Sequence, residues 1–284
     1  KCEGNFNVFE ARKKFDKFLV DHKVGKGENY THTAFGPPWG SYNIPDDELD
    51  EFLTLYCNIV GKAELHITEK PKNVGQLLID IDFHLDDTHE ERIYREDDFK
   101  YVIGTINGLI RKYYEWDSKA LTAYVFEKDT PTEKVHDDYK EYKDGFHIVY
   151  PNLPITMEMR YLIISELKKA VTDVRGFRHI PFTNKVNDVF DTSVIKRNGW
   201  MMYGSRKHDG KPYYLTHIIK CTFDEMDVKR LNIKDIVKLV CNRKYNDDDV
   251  LPYKDSVDMD QLQSDIDEVL QSYNVKNDTG KKKK

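Results

Sequence analysis

Apolar and polar positions alternate most clearly where the run Gln76-Leu77-Leu78-Ile79 gives way to Asp80-Ile81-Asp82-Phe83. This pattern predicts a buried strand over 77–83, with Ile81 and Phe83 on one face and Asp80 and Asp82 on the other. Shorter apolar runs predict strands at 63–67, 121–126, 146–150, 200–203 and 213–223, the third closed by Pro151-Asn152. Apolar residues at helical spacing predict helices at 8–20, 48–60, 96–114, 157–174, 233–241 and 258–272. Pro45-Asp46-Asp47 opens the second of these. The third starts on Glu96-Asp97-Asp98 and ends on Arg111-Lys112, as the helix dipole favours. The stretch 127–142 is polar throughout and reads as a long exposed loop, and 274–284 reads as a disordered basic tail. Helices and strands interleave without an internal repeat. The expected class is therefore α/β (α+β) with a mixed sheet.

A chain of 284 residues with 39% hydrophobic content can bury a sizeable core. No apolar run is long enough to span a bilayer and the start is no signal peptide, so no membrane partner is expected. The absence of a leading Met and the closing run Lys281–Lys284 are expected of a segment cut from a longer protein. Cys2, Cys57, Cys221 and Cys241 form no CxxC pair, which favours free thiols in a reducing compartment. Zinc bound by His217, Cys221 and Cys241 is a weaker alternative. The net charge of −6 conceals strong segregation. Residues 80–98 hold nine acids and two bases, whereas 160–185 and 191–220 each hold six bases and two acids. An acidic strand set against basic stretches suits a site that handles phosphate.

Two carboxylates one residue apart on a strand face repel each other unless a cation lies between them. Hard oxygen donors point to Mg²⁺ or Mn²⁺, although an isolated Asp-x-Asp also fits a strand ending in an acidic turn. Three further pieces favour the metal. Lys143-Asp144-Gly145-Phe146-His147 enters a strand, where Lys143 and His147 can reach a phosphate and Gly145 permits close backbone approach. Asp191, after Val189-Phe190, offers a third carboxylate for a metal pair. The run 196–207 carries Arg197, Arg206 and Lys207, whose charges can neutralise a triphosphate.

This order, a DxD, then a small residue two before a strand His, then a lone Asp leading into a basic segment, resembles the archaeo-eukaryotic primase (AEP) superfamily. His66-Ile67-Thr68-Glu69-Lys70 and Asn198-Gly199-Trp200-Met201-Met202-Tyr203-Gly204-Ser205 look like the primase domain of poxvirus-type primase-helicases of nucleocytoplasmic large DNA viruses. The likeness runs from about Ser41 to Lys220. It implies an N-terminal α/β unit packed on an RRM-like unit, with Asp80, Asp82 and Asp191 holding two catalytic metals and His147, beside Lys143, on the nucleotide phosphates. It also implies a DNA primase or primase-polymerase acting on single-stranded DNA template and nucleoside triphosphates, in the host cytoplasm or a viral replication factory. Residues 1–255 would form the catalytic domain and 256–284 a helix and tail leading to a helicase. No Walker A sequence occurs, so a helicase would lie outside this chain. The chain departs from the pattern at Gly145, where the family usually has Ser or Thr. It departs again at Gly199, Trp200 and Met201, where related enzymes place arginines. The competing readings are a metal-dependent nuclease and a non-catalytic single-strand-binding module that uses Tyr113, Tyr114, Trp116, Tyr213 and Tyr214 for stacking.

Overall fold

The computed structural model describes residues 7–173 and 176–279, the last six of these by backbone alone. Its strands are β1 (Lys23–Val24), β2 (His32–Ala34), β3 (Gly40–Tyr42), β4 (Ile67–Glu69), β5 (Val74–Leu85), β6 (Ala123–Glu127), β7 (Thr132–Val135), β8 (Lys140–Thr156), β9 (Trp200–Met201), β10 (Tyr214–Ile219) and β11 (Glu225–Met226). Its α-helices are α1 (Val8–Asp21), α2 (Leu49–Ile59), α3 (Glu96–Tyr113), α4 (Met157–Asp173), α5 (Val186–Val189), α6 (Ile233–Leu239) and α7 (Met259–Thr279). The strands form two sheets, one ordered β1-β3-β2-β4-β9 and the other β11-β10-β6-β8-β5 with β7 beside β8. The α/β (α+β) class holds, but every strand pairing among the described residues is antiparallel, so the expected mixing of directions is absent.

Three apolar clusters hold these layers. Phe15 and Leu19 of α1 and Phe52 and Tyr56 of α2 pack on Ala34, Tyr42 and Ile67 of the first sheet. Ile79, Ile81 and Phe83 of β5 face α3 and α4 together with Phe146 and Ile148 of β8. The opposite face of the second sheet, with Leu78, Phe126 and Val149, meets Trp200 of β9 and Ile236 of α6, which joins the two units. Alternation along β5 thus decides where the carboxylates go. Ile79, Ile81 and Phe83 are 0–1% exposed, and burying each contributes about 1.5–3 kcal/mol. A slip of one residue would drive all three toward the polar face and Asp80 and Asp82 into the core, so the register is firmly held.

The helix ends follow their sequence signals. Asn7 Oδ1 accepts from the N–H groups of Phe9 and Glu10 at 3.0 and 3.3 Å. Asp98 accepts from the Arg95 N–H at 2.7 Å ahead of α3. Two expectations fail in the strands. The polar stretch 127–142 is largely a hairpin of β7 and β8 rather than a loop, with Thr132 opposite Lys143 and Val135 opposite Lys140. β8 also does not stop at Pro151-Asn152 but runs to Thr156, because a register shift opposite Gly75–Leu77 accommodates prolines that lack an N–H. The strand read at 63–67 forms only from Ile67, and that read at 213–223 is confined to β10, with β11 lying beyond it. α7 continues to Thr279, over part of the expected tail, while 280–284 lie outside the described residues. Its Leu262 and Ile266 are buried in the same core as α4. No described helix is long and apolar enough to cross a membrane.

Candidate active site

β5 and β8 lie antiparallel with Asp80 opposite His147, Asp82 opposite Gly145 and His84 opposite Lys143. Because alternate residues share a face, these six positions form one patch looking away from the helices. Phe190 bridges to Ile81, and the Asp191 N–H donates to the Asp80 carbonyl at 3.0 Å, which fastens the third carboxylate beside the pair. Asp80, Asp82, Asp191, His147, Lys143, Arg197, Arg206 and Lys207 all line one cleft of about 880 Å³ between the two sheets. The structure therefore brings these eight side chains together.

The contacts give each residue a definite setting. His147 Nε2 lies 3.3 Å from Asp80 Oδ1, and its ring stacks on Tyr213 at 3.6 Å between centroids. His84 Nε2 lies 3.6 Å from Asp82 Oδ2. Burial opposes ionisation of Asp82, but the His84 hydrogen bond and the charges of Lys128, His84 and Lys143 outweigh it and hold the carboxyl below its ordinary range. The same pairing raises His84 above the usual imidazole value against the opposing effect of burial. Asp191 commits one oxygen to the Ser193 N–H at 2.8 Å, capping the turn that leads to Arg197. Arg206 is held by Glu64 at 3.0 Å, whereas no described carboxylate lies within 4.0 Å of Arg197 or Lys207.

The departures at Gly145 and Gly199 have steric causes. A Cβ on Gly145 would lie 1.9 Å from the Ile81 carbonyl oxygen and 3.1 Å from Asp82 Cα. The close approach that demands glycine is strand against strand, not backbone against phosphate as the sequence suggested. At Gly199 a Cβ would meet Thr68 Oγ1 at 2.5 Å, which leaves no room for an arginine.

Several residues escaped the sequence reading. Lys128 sits where a loop was expected and is only 6% exposed. Its ammonium donates to the Lys143 carbonyl at 2.9 Å and faces the Tyr213 ring at 5.5 Å. Burial lowers its pKa, opposed by Asp144, Asp82 and Asp80. Beneath the patch Arg92 Nε donates to buried Asp144 at 3.0 Å and Nη1 to Glu127 at 3.3 Å. The Tyr94 hydroxyl lies 2.9 Å from Glu127 and 3.0 Å from the Gly145 carbonyl, bracing β8 from below. The continuation of the β6 pattern through Phe126-Glu127-Lys128 was the available signal for Lys128. Arg92 carried none, and Tyr213 was weighed only as a base-stacking residue, not as the partner of His147.

Burial would raise the Glu127 carboxyl, but His217, Thr216, Tyr94 and Arg92 outweigh it and hold it at about 2. A carboxyl lowered on folding stabilises above its unfolded pKa, and that contribution is lost as pH falls through the folded value. Glu127→Gln is expected to cost about 2–3 kcal/mol at pH 7. It should also flatten the fall in stability between about pH 4.5 and 2. Denaturant melts of both proteins across that range check this, and parallel curves would contradict it.

Other expectations are not met. The bases of 160–185 do not line the cleft. Arg160 is buried and donates to the Asn73 carbonyl, and Lys168 donates to the Asn187 carbonyl. Arg175 and Cys2 lie outside the described residues. Tyr113 and Tyr114 belong to the core, while Trp116 and Tyr214 are exposed. His217, Cys221 and Cys241 form no zinc site. Cys241 donates to buried Glu69 at 3.1 Å, and His217 sits between Glu127 and Glu225. Among the described residues, one grouping has ligand atoms all within 4.8 Å of one another, namely Glu96, His217 and Glu225. The Lys100 ammonium already pairs with both of its glutamates.

Comparison with known proteins places the chain in a family. The family model described as the C962R protein N-terminal AEP domain matches residues 31–219. A protein of Acanthamoeba polyphaga mimivirus named as a helicase is 32% identical over 270 residues, covering 91% of this chain and 28% of that protein. A helicase-named protein of Invertebrate iridescent virus 3 is 26% identical over 213 residues, covering 70% and 22%. The chain thus spans little more than a quarter of the first relative and less than that of the second.

Proposed function

The chain belongs to the AEP family of the C962R N-terminal domain, and from that premise we propose that it is the primase-polymerase unit of a viral primase-helicase. The reaction would be template-directed nucleotidyl transfer from nucleoside triphosphates. The observation that carries this reading is the placement of Asp80, Asp82 and Asp191 on one wall of a cleft that also holds Lys143, His147, Arg197 and Lys207. Three carboxylates without sulfur donors suit Mg²⁺ or Mn²⁺ by type, and their oxygens, which do not all lie within 4.8 Å of one another here, would draw together around the ions. When bound there, a two-metal pair would supply activation of the attacking 3′-hydroxyl and neutralisation of the leaving pyrophosphate. The chain's own residues do the rest. Lys143, Arg197 and Lys207 bring positive charge to the triphosphate, which an enzyme starting without a primer strand needs to hold its nucleotides. Tyr213 fixes the plane of the His147 ring, so that an imidazole N–H can be aimed at a phosphate oxygen. Residues 1–255 would supply this unit and 256–284 would lead toward a helicase elsewhere in the parent protein.

Calorimetric titration with a nucleoside triphosphate, with and without Mg²⁺, tests the reading. Metal-dependent binding is expected, and His147→Ala should raise the KM for nucleotide about tenfold or more while leaving single-strand affinity unchanged. Loss of single-strand affinity with an unchanged KM would overturn the role given to His147. Metal-independent single-strand binding with no nucleotide affinity would favour a binding module instead.

A further inference from the structure

The cleft wall opposite the carboxylates is built from the first sheet, and its register has a consequence. Ser41 lies directly across from Thr33, Thr33 from Thr68, and Thr68 from Met201. All four line the cleft, so a row of short, mostly hydroxylated side chains crosses four strands. Residues two further along the same strands share that face. Phe35, 47% exposed, flanks the row on one side, two residues beyond Thr33. Lys70 flanks it on the other, two residues beyond Thr68, with its ammonium 4.6 Å from the centre of the Tyr30 ring. The Phe35 N–H donates to the His66 carbonyl at 2.9 Å. Gly36 is pressed so closely on His66 that a Cβ would come within 2.1 Å of it, so the Phe35 side is rigidly seated.

We propose that this wall is the track for an unpaired nucleic-acid strand, with bases stacked on Phe35 and Tyr30 and the sugar-phosphate chain hydrogen-bonded along Ser41 and Thr33, while buried Thr68 donates to the Thr33 carbonyl and holds the row together. The proposal rests on the polymerase reading and names the surface on which its template lies. Flat rings on both sides of a hydroxyl row match a chain that alternates planar bases with polar backbone. Charge points the same way, because no described carboxylate lies within 4.0 Å of Lys70 on this wall or of Lys134 and Lys207 elsewhere in the cleft. An apolar protein segment would leave the hydroxyls unmatched, and a duplex has its bases stacked away from the rings.

The test is fluorescence anisotropy with a labelled oligothymidylate, alongside calorimetric nucleotide affinity in Mg²⁺. Phe35→Ala and Tyr30→Ala should each weaken oligothymidylate binding about tenfold or more, with nucleotide affinity and melting temperature unchanged. Phe35→Trp should keep wild-type affinity, and blunt duplex DNA should compete poorly. Wild-type affinity in both alanine variants would overturn the track, as would a loss confined to nucleotide or equal competition by duplex. If the unaltered protein incorporates no nucleotide yet loses oligothymidylate in these variants, the polymerase reading fails and the track stands. Incorporation by the unaltered protein, with oligothymidylate affinity indifferent to both rings, removes the track alone.

Discussion

Asp80→Ala and Asp82→Ala are each expected to lower nucleotide incorporation by at least ~10³-fold, which corresponds to about 4 kcal/mol of transition-state stabilisation. The two side chains project from one face of β5 because Ile79, Ile81 and Phe83 claim the other. Nothing in the core depends on them. The contacts they make are with His147 and His84 on the cleft side, and Asp82 also balances the buried Lys128 charge. The melting temperature should therefore change little in Asp80→Ala and fall modestly in Asp82→Ala, with the fold retained in both, which separates lost chemistry from lost fold. Asp191→Ala should impair incorporation similarly, with a small additional cost because its side chain caps the following turn. Near-normal incorporation in both Asp80→Ala and Asp82→Ala would remove the metal-site interpretation.

Gly145→Ser, which restores the residue type usual in the family, is expected to damage this chain. The new Cβ would lie 1.9 Å from the Ile81 carbonyl oxygen, a backbone atom that no side-chain rotation can move aside. β5 and β8 would have to separate beside Asp82, disturbing the Asp80–His147 and Asp82–His84 contacts and the Tyr94 brace on the Gly145 carbonyl. Overpacking of this kind costs about 3 kcal/mol. Displacing the carboxylates by an ångström should reduce incorporation a further ~10²-fold. Chemical denaturation and single-turnover incorporation measure the two effects separately. A stable and active Gly145→Ser protein would show that β8 can adopt another path here.

Much of this site was legible because its chemistry depends on residue type. Alternation around Ile81 and Phe83 identified the strand and the face of Asp80 and Asp82, and the acids ahead of α3 marked its start. The β7–β8 hairpin was hidden because Thr132, Glu133, Lys134 and Val135 form a short, mostly polar strand with little apolar alternation to reveal it. The passage of β8 through Pro151 depends on a register shift set by its partner, not by its own sequence. Lys128 escaped notice, and Tyr213 was weighed only for stacking, for a related reason. Their places come from tertiary burial against Lys143 and His147, which the local sequence does not reveal. Gly145 was recognised as special, but its neighbour is Ile81 rather than a ligand, which only the strand pairing reveals. Charge segregation directed attention to 191–220, whose Arg197, Arg206 and Lys207 line the cleft, yet it misled at 160–185, where Arg160 is buried.

Synthesis on circular single-stranded DNA with labelled nucleoside triphosphates, without added primer, tests the central claim most directly. The account predicts short products that require template and Mg²⁺ or Mn²⁺ and disappear in Asp80→Ala. Metal-dependent degradation of the template without synthesis would contradict it and point to a nuclease. Single-strand binding with no product under either metal would contradict it as well.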